Sequence, residues 1–441
     1  MGRGSRNGGG AVPGFGKCPL WRASMRSPAA SCTWVFDLLY GSSPLVTWAP
    51  AGQLPRGFRR VDQFAVLPGG RDRAFMVSLA SRRGSASALT SYNALRPLRR
   101  RAGRIALGLA LRSGAAAPLL GARVDIGAAA DATPEQITGA LITEHVATLL
   151  GRRRIVVAFG GSSGPYRKPV LQAFAADGAP IGYVKVGWNA WSRDAVRREA
   201  AALLACASAG GRLGVPALVH QGQWQGLELL VTAPLPADVR RPGRDLPAVT
   251  ALREICELSP VTASELAESQ WWSDIRTRLR AITASSTSAA ALSRAIDRLG
   301  SQFGSARLEF GRWHGDLVPW NLALAGPRLY AWDWESSAAS APVGFDALHF
   351  HFQLAFVAEH MPLADAVARA VGAARAPLLG LAVPGELHDL LSELHLLELA
   401  VRHEEARASS GDADDRFFPA VLRLLDHLSR VRPAASVGRQ G

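Results

Sequence analysis

The chain has 441 residues, 48% of them hydrophobic, and a formal net charge of +14 at pH 7. That length and apolar content support a globular chain with a sizeable core and two or three domains. The basic surplus invites a nucleic-acid or membrane partner, yet among 50 Lys and Arg only Lys17, Lys168 and Lys185 are lysines, and the arginines are scattered without forming a stripe; this argues against nucleic acid as the main partner.

The four cysteines, Cys18, Cys32, Cys206 and Cys256, show neither close pairing nor metal-type spacing. This argues against a disulfide scaffold or a zinc site and fits a reducing, cytoplasmic setting. Arg interrupts every apolar run before it reaches the roughly 18 residues of a membrane helix, IALGLALRSGAAAPLLG included, so no membrane partner is expected. The basic, Gly-rich start lacks the apolar centre of a secretion signal and reads as disordered, with Met25 as an alternative initiator.

From Trp34 to Ala128, β-type runs such as DQFAVLP, AFMVSL and RIALGLAL alternate with Gly, Pro, Ser and Arg clusters, which predicts a small mixed α/β module. TPEQITGALITEHVATLLG, from Thr133, has a plausible N-cap and apolar residues at helical spacing, and marks a domain entry. Three strands follow in RIVVAFGGSSGPYRKPVLQAFAADGAPIGYVKVG, joined by a Gly/Ser loop and by a tight turn at Asp177-Gly178. A helix, SRDAVRREAAALLACA, is expected with Ser192 at its cap, and VPALVHQGQWQGLELLVTAPLP adds two strands around a Gln-Gly turn. The result is a five-stranded antiparallel sheet with one inserted helix; from about Pro247 the chain reads as mainly helical.

Lys185 sits in the strand IGYVKV, and an ammonium there must reach a cleft or a partner. Helical spacing aligns Val196, Glu199, Ala200 and Leu203, which puts Glu199 on an apolar stripe. A buried lone carboxylate is costly, so Glu199 needs a partner, and Lys185 is the nearest candidate; the alternatives are a purely structural ion pair or a Glu at the edge of its stripe. GGSSG, Gly160 to Gly164, is either an ordinary turn or an anion nest for phosphates.

RWHGDLVPWNLALAGPRLYAWDWES, Arg312 to Ser336, is sharper. Asp316 can accept a hydroxyl proton, Asn321 five residues on can offer a carbonyl oxygen to a divalent cation, and Asp333 after LYAW supplies an anionic oxygen of the kind Mg²⁺ prefers. Phosphoryl transfer needs little else beyond a Lys held by a Glu. The chain order of Gly/Ser loop, Lys185, Glu199, Asp316, Asn321 and Asp333 is that of the protein-kinase signature.

From about residue 150 onward the chain resembles the aminoglycoside phosphotransferase and choline kinase-like family, through HGDLVPWN and WDWE. The resemblance implies an α+β, bilobal protein-kinase-like fold with a five-stranded N-lobe, a helical C-lobe and an extra N-terminal α/β module. It makes Asp316 the catalytic base, Asn321 and Asp333 the Mg²⁺ ligands, Lys185 the phosphate-binding lysine and Glu199 its helix partner. Gly161, Ser162 and Ser163 would cover the phosphates of ATP, and backbone groups of Val231, Thr232 and Ala233 would meet the adenine. The acceptor would be a small-molecule hydroxyl of aminoglycoside, amino-alcohol or sugar type. Gly315 and Trp334-Glu335 stand where protein kinases carry the Arg of HRD and the Phe-Gly of DFG, which points to a small-molecule kinase. The role of Glu335 stays open between metal and structure.

On this reading residues 1–33 are a disordered start, 34–132 the extra module, 133–236 the nucleotide-binding lobe, 237–433 the lobe with the catalytic loop and acceptor site, and 434–441 a tail. His349 and His351, two apart, cannot share a metal as an i,i+4 pair does and read as packing or surface residues. His314 is expected to fasten the loop, and Asp346 to cap the helix DALHFHFQLAF. HEEARASSGDADD reads as a solvated loop, or as an acidic rim for a cationic substrate. The alternative to an enzyme is a catalytically silent kinase fold serving as a nucleotide-binding or scaffold protein.

Overall fold

The computed structural model describes residues 33–68, 73–91, 102–114, 122–162, 168–282, 287–410 and 419–425. Lys17, Cys18, Cys32, Ser163, most of the N-terminal segment, the C-terminal tail and the end of the acidic stretch lie outside the described residues.

The first half is built on one antiparallel sheet. It runs α1 (Thr33–Tyr40), β1 (Val46–Pro50), β2 (Phe58–Pro68), β3 (Arg73–Ser78), α2 (Arg82–Ser91), α3 (Ala102–Ser113), β4 (Ala122–Ala129), α4 (Pro134–Ala140) and α5 (Ile142–Leu149). β5 (Ile155–Ser162), β6 (Val170–Ala175), β7 (Pro180–Gly187), α6 (Ala190–Ala209), β8 (Leu218–Trp224) and β9 (Leu227–Thr232) complete it. The strand order is β1-β4-β2-β3-β5-β6-β7-β9-β8. The five strands expected after residue 150 are therefore contiguous, and four more extend the same sheet because β3 pairs with β5, Ala74 opposite Gly161.

IVVAF is an unbroken apolar run because both faces of β5 are covered. Ile155, Val157 and Phe159 pack with α1 and α5, while Val156 and Ala158 pack with Leu89 of α2 and Leu111 of α3. The Asp177-Gly178 turn has Gly178 at φ 100, and a Cβ there would meet Ser87 Oγ at 2.2 Å, so only glycine fits. At the second hairpin Gln225 and Gly226 are both left-handed, φ 45 and 75, as a two-residue loop matched to the strand twist requires.

Several local expectations are corrected. RIALGLAL is helical: it lies in α3, where Gly108 backs onto the Ala86 carbonyl and Leu111, three residues on, is buried, while Leu109 is exposed, a helical and not an alternating pattern of burial. The helix from Thr133 has the expected cap, a capping box with Gln136, but breaks at Leu141, whose backbone is extended, into α4 and α5. Asn189, not Ser192, caps α6; Ser192 is the reciprocal partner three residues on. Gly344 precedes the later helix of Asp346, whose carboxylate turns elsewhere.

The second half is mainly helical, with two small sheets. It comprises α7 (Val249–Cys256), β10 (Thr262–Glu265), α8 (Gln270–Ile282), α9 (Thr287–Phe303), β11 (Arg307–Trp313), β12 (Leu322–Ala325), β13 (Arg328–Ala331) and β14 (Ala338–Pro342). α10 (Phe345–Gln353), α11 (Leu363–Gly380) and α12 (His388–Ser410) follow. One core joins Trp271, Trp313, Trp334 and Phe345 to Val196, Leu203 and Leu230, so the inner faces of α6 and β9 are shared with the helical half. Cys206 and Cys256 are free and buried, and burial pushes both thiols up to about 12, as packing residues require. Among the described residues no helix is long and apolar enough to cross a membrane.

Candidate active site

Lys185 lies on β7 opposite Leu230, on the face that packs against α6, while Val184 and Val186 point to the other apolar layer. Its Nζ reaches both oxygens of Glu199, at 2.7 and 2.6 Å, and Asp333 Oδ1 at 2.5 Å. The ammonium of a sheet residue is thus shared by a carboxylate of the inserted helix and one of the helical half. Burial alone would depress the Lys185 pKa, but the Asp333 and Glu199 carboxylates more than offset it and hold it above its ordinary value. Glu199 is 2% exposed, so this pairing is what permits a carboxylate on the apolar stripe of α6.

The loop after β11 is held from several sides. Gly315 is left-handed, φ 82, and a Cβ there would lie 2.2 Å from the Ser336 carbonyl oxygen; the chain passes too close for any side chain. The Asp346 carboxylate accepts from the amides of His314, at 2.7 Å, and Gly315, at 3.1 Å. His314 is fully buried, which pushes its pKa down; the neutral ring accepts from the Asp316 amide at Nδ1, 3.2 Å, and donates from Nε2 to the Trp332 carbonyl, 3.1 Å. Arg402 on α12 donates to the carbonyls of Gly315, 3.0 Å, and Ser336, 2.7 Å, and stacks over Trp313. These bonds hold Asp316 with 37% of its side chain exposed.

Asn321 ends a 3₁₀ turn begun by Pro319, and its Nδ2 donates to Asp316 Oδ2 at 2.8 Å and to the Asp316 carbonyl at 3.1 Å. With its amide hydrogens turned to Asp316, its side-chain oxygen is the group left over for a cation. The β12–β13 hairpin pairs Leu322 with Ala331, and the Trp332 amide donates to the Asn321 carbonyl, so Asp333 is one residue beyond the position facing Asn321. Asp333 is left-handed, φ 72, a conformation Asp tolerates better than most residues. Against burial, which would raise it, Lys185 and Lys168 bring the Asp333 carboxyl down to about 2. A side-chain amide oxygen and an ionised carboxylate are hard oxygen donors, and this donor set fits Mg²⁺.

Sequence reasoning missed two residues of this region. Lys168, two residues before β6, pairs with Glu335, which answers the open question about Glu335 in part: it holds a cation. Carboxylate oxygens of Glu199, Asp333 and Glu335 lie within 4.8 Å of one another, and Lys168 and Lys185 supply the charge that lets them do so. The available signal was the scarcity of lysine: both described lysines of an arginine-rich chain meet in this one place. His349, read as a packing residue, is buried but places Nε2 3.2 Å from Asp316 Oδ1. Its contact is set by the packing of α10 against the loop, which no local motif announces.

The expected phosphate and adenine positions stand differently. Gly161 and Ser162 are paired with Ala74 and Arg73 of β3, so the strand continues where a loop was expected, because β3 offers a partner that the residues from 150 onward do not contain. Val231 and Thr232 lie in β9 with strands on both sides, and the Ala233 amide donates to the Ala217 carbonyl at 2.8 Å, committed to the sheet. A cavity of 280 Å³ follows one turn of α10 beyond His349, lined by Phe352, Phe356, Val357, Leu399, Arg402 and His403 together with Gln353.

A scan of protein-family models finds no match for the chain, and a search of curated proteins finds none either. Among solved structures it is similar to choline kinase LicA from Streptococcus pneumoniae, with TM-score 0.43, 12% identity and coverage of 66% of this chain and 98% of that one. It is also similar to the ADP-bound aminoglycoside phosphotransferase APH(2'')-Ib, with TM-score 0.40, 12% identity and coverage of 65% and 97%. An amicoumacin kinase in complex with AMP-PNP and Ca²⁺ gives TM-score 0.38, 13% identity and coverage of 61% and 87%. These neighbours are small-molecule kinases. At such TM-scores the likeness carries no argument of its own, and the weight rests on the geometry described above.

Proposed function

We propose that the chain is an ATP- and Mg²⁺-dependent phosphotransferase that phosphorylates a hydroxyl group of a small molecule. The observation that carries this reading is the shared ammonium of Lys185, which ties Glu199 and Asp333 together beside a braced loop presenting Asp316 and Asn321.

In this reading Asp316 holds the acceptor hydroxyl and takes its proton as that oxygen bonds to the γ-phosphorus and the bond to the β-phosphate oxygen breaks. Asn321 fixes the carboxylate through Nδ2 and, with Asp333, would hold Mg²⁺; Lys185 would bind phosphate oxygens while Glu199 keeps it aimed. The metal, when bound, neutralises charge on the transferring phosphoryl group. Phe352, Phe356 and Arg402 line the cavity beyond His349, and none of its lining residues is a carboxylate.

ADP formation by the purified chain, followed over a panel of sugars, amino alcohols and aminoglycosides with Mg²⁺, tests the proposal. Acceptor-dependent turnover that disappears in Asp316→Ala is expected. Unchanged turnover in that variant would remove Asp316 from its role, and Mg²⁺-ATP binding with no transfer to any acceptor would favour the silent scaffold.

A further inference from the structure

Behind the loop lies a pair of histidines for which the phosphotransfer chemistry has no direct use. His349 of α10 is 2% exposed and His395 of α12 is 3% exposed. His349 Nδ1 is 3.2 Å from His395 Nε2, and its Nε2 is 3.2 Å from Asp316 Oδ1. The rings of Trp313, Phe345 and Phe352 stand edge-on around the pair, and Arg402 is the nearby charge on the His395 side.

Hydrogen-bond logic fixes the protons. An ionised carboxylate only accepts, so the His349 nitrogen facing Asp316 must carry hydrogen. Burial, with His349 and Arg402 adding to it, keeps the His395 pKa well below its ordinary value, so His395 is neutral. If His349 is also neutral, its Nδ1 is an acceptor and receives the His395 Nε2 hydrogen; if His349 is protonated, Nδ1 donates to a His395 lone pair instead. In both cases Nε2 of His349 donates to Asp316.

We propose that His349 is a positioning residue for Asp316, donating from Nε2 to its carboxylate, and that His395 packs behind it as the hydrogen-bond partner of Nδ1. This rests on the phosphotransferase reading. Asn321 holds Oδ2 at 2.8 Å and His349 holds Oδ1 at 3.2 Å, so the carboxylate plane is pinned from both ends and its remaining lone pairs are directed to the open side. A base free to swing would present the acceptor oxygen poorly, and small displacements of a reacting group cost about a hundredfold in rate.

The test compares His349→Leu, His349→Gln and His395→Leu in the full chain. His349→Leu should lower kcat by about tenfold to a hundredfold with KM for ATP changed less than about threefold, and His349→Gln, whose amide can still donate, should recover most of the loss. Independently of turnover, ¹⁵N spectra of histidine-labelled chain should show His349 with a fixed proton on Nε2, kept in His395→Leu because Asp316 still demands it. A His349 ring protonated at Nδ1 alone, or His349→Leu with wild-type kcat while Asp316→Ala is dead, would overturn the proposal. Activity retained in Asp316→Ala would instead remove Asp316 from its role as base and leave the proton assignment to be judged by the spectra.

Discussion

Replacing Asp346 by alanine should loosen the loop that presents Asp316. The carboxylate is 7% exposed and accepts from two buried amides, His314 at 2.7 Å and Gly315 at 3.1 Å. Each buried donor left without a partner costs about 1–3 kcal/mol, which sums to about 2–6 kcal/mol for the pair. Part of that is returned, because burial already penalises the charge and raises the Asp346 pKa, so the lower half of the range is expected. Amide hydrogen exchange reads the effect where it occurs: protection at His314 and Gly315 should fall sharply in Asp346→Ala while that of the β5–β6 ladder falls only by the global loss. Denaturant midpoints would give the total. Unchanged protection at Gly315, with stability within about 0.5 kcal/mol of wild type, would refute the idea that Asp346 braces this loop.

Gly315→Ala should be destabilised by more than the roughly 1–2 kcal/mol of a left-handed alanine, since its Cβ would also meet the Ser336 carbonyl; a melting temperature equal to wild type would argue against the close approach. Lys185→Met should abolish the thermal shift produced by Mg²⁺-ATP and cost about 3–5 kcal/mol by orphaning Glu199, while Lys185→Met with Glu199→Leu should recover stability but not nucleotide binding. If the double variant is no more stable than the single, the pairing account fails. Acid titration gives a third check. The Asp333 carboxyl, lowered to about 2, binds protons less tightly in the folded chain than in the unfolded one, so its contribution is complete above the ordinary carboxylate range and lost as pH falls from about 4 towards 2. Asp333→Asn should flatten stability over that window, and an identical acid profile would contradict the assignment.

What was legible in the sequence is what is local or periodic. HGDLVPWN and WDWE are continuous segments, so the neighbourhood of Asp316, Asn321 and Asp333 needs only one hairpin to form. Lys185 and Glu199 are fourteen residues apart on a strand and the following helix, and the apolar stripe of α6 already demanded a partner for the carboxylate. His349, His395 and Lys168 were illegible as site residues because their contacts depend on how α10, α12 and β6 are packed, over separations no periodicity spans. The join of β3 to β5 was hidden for a related reason: strand patterns announce strands, not the edge at which two sets meet. α3 was misread because small and large apolar residues alternate along it as in a strand, although the residues it buries, Gly108 and Leu111, are three apart.

The most direct test of the central claim is a crystal structure of the chain with a nonhydrolysable ATP analogue and Mn²⁺, read by anomalous scattering. The account predicts a manganese peak held by the side-chain oxygens of Asn321 and Asp333, phosphates within reach of Lys185, and the γ-phosphate facing Asp316. Nucleotide bound elsewhere with the Lys185–Glu199–Asp333 cluster undisturbed, or manganese that avoids Asp333, would contradict it.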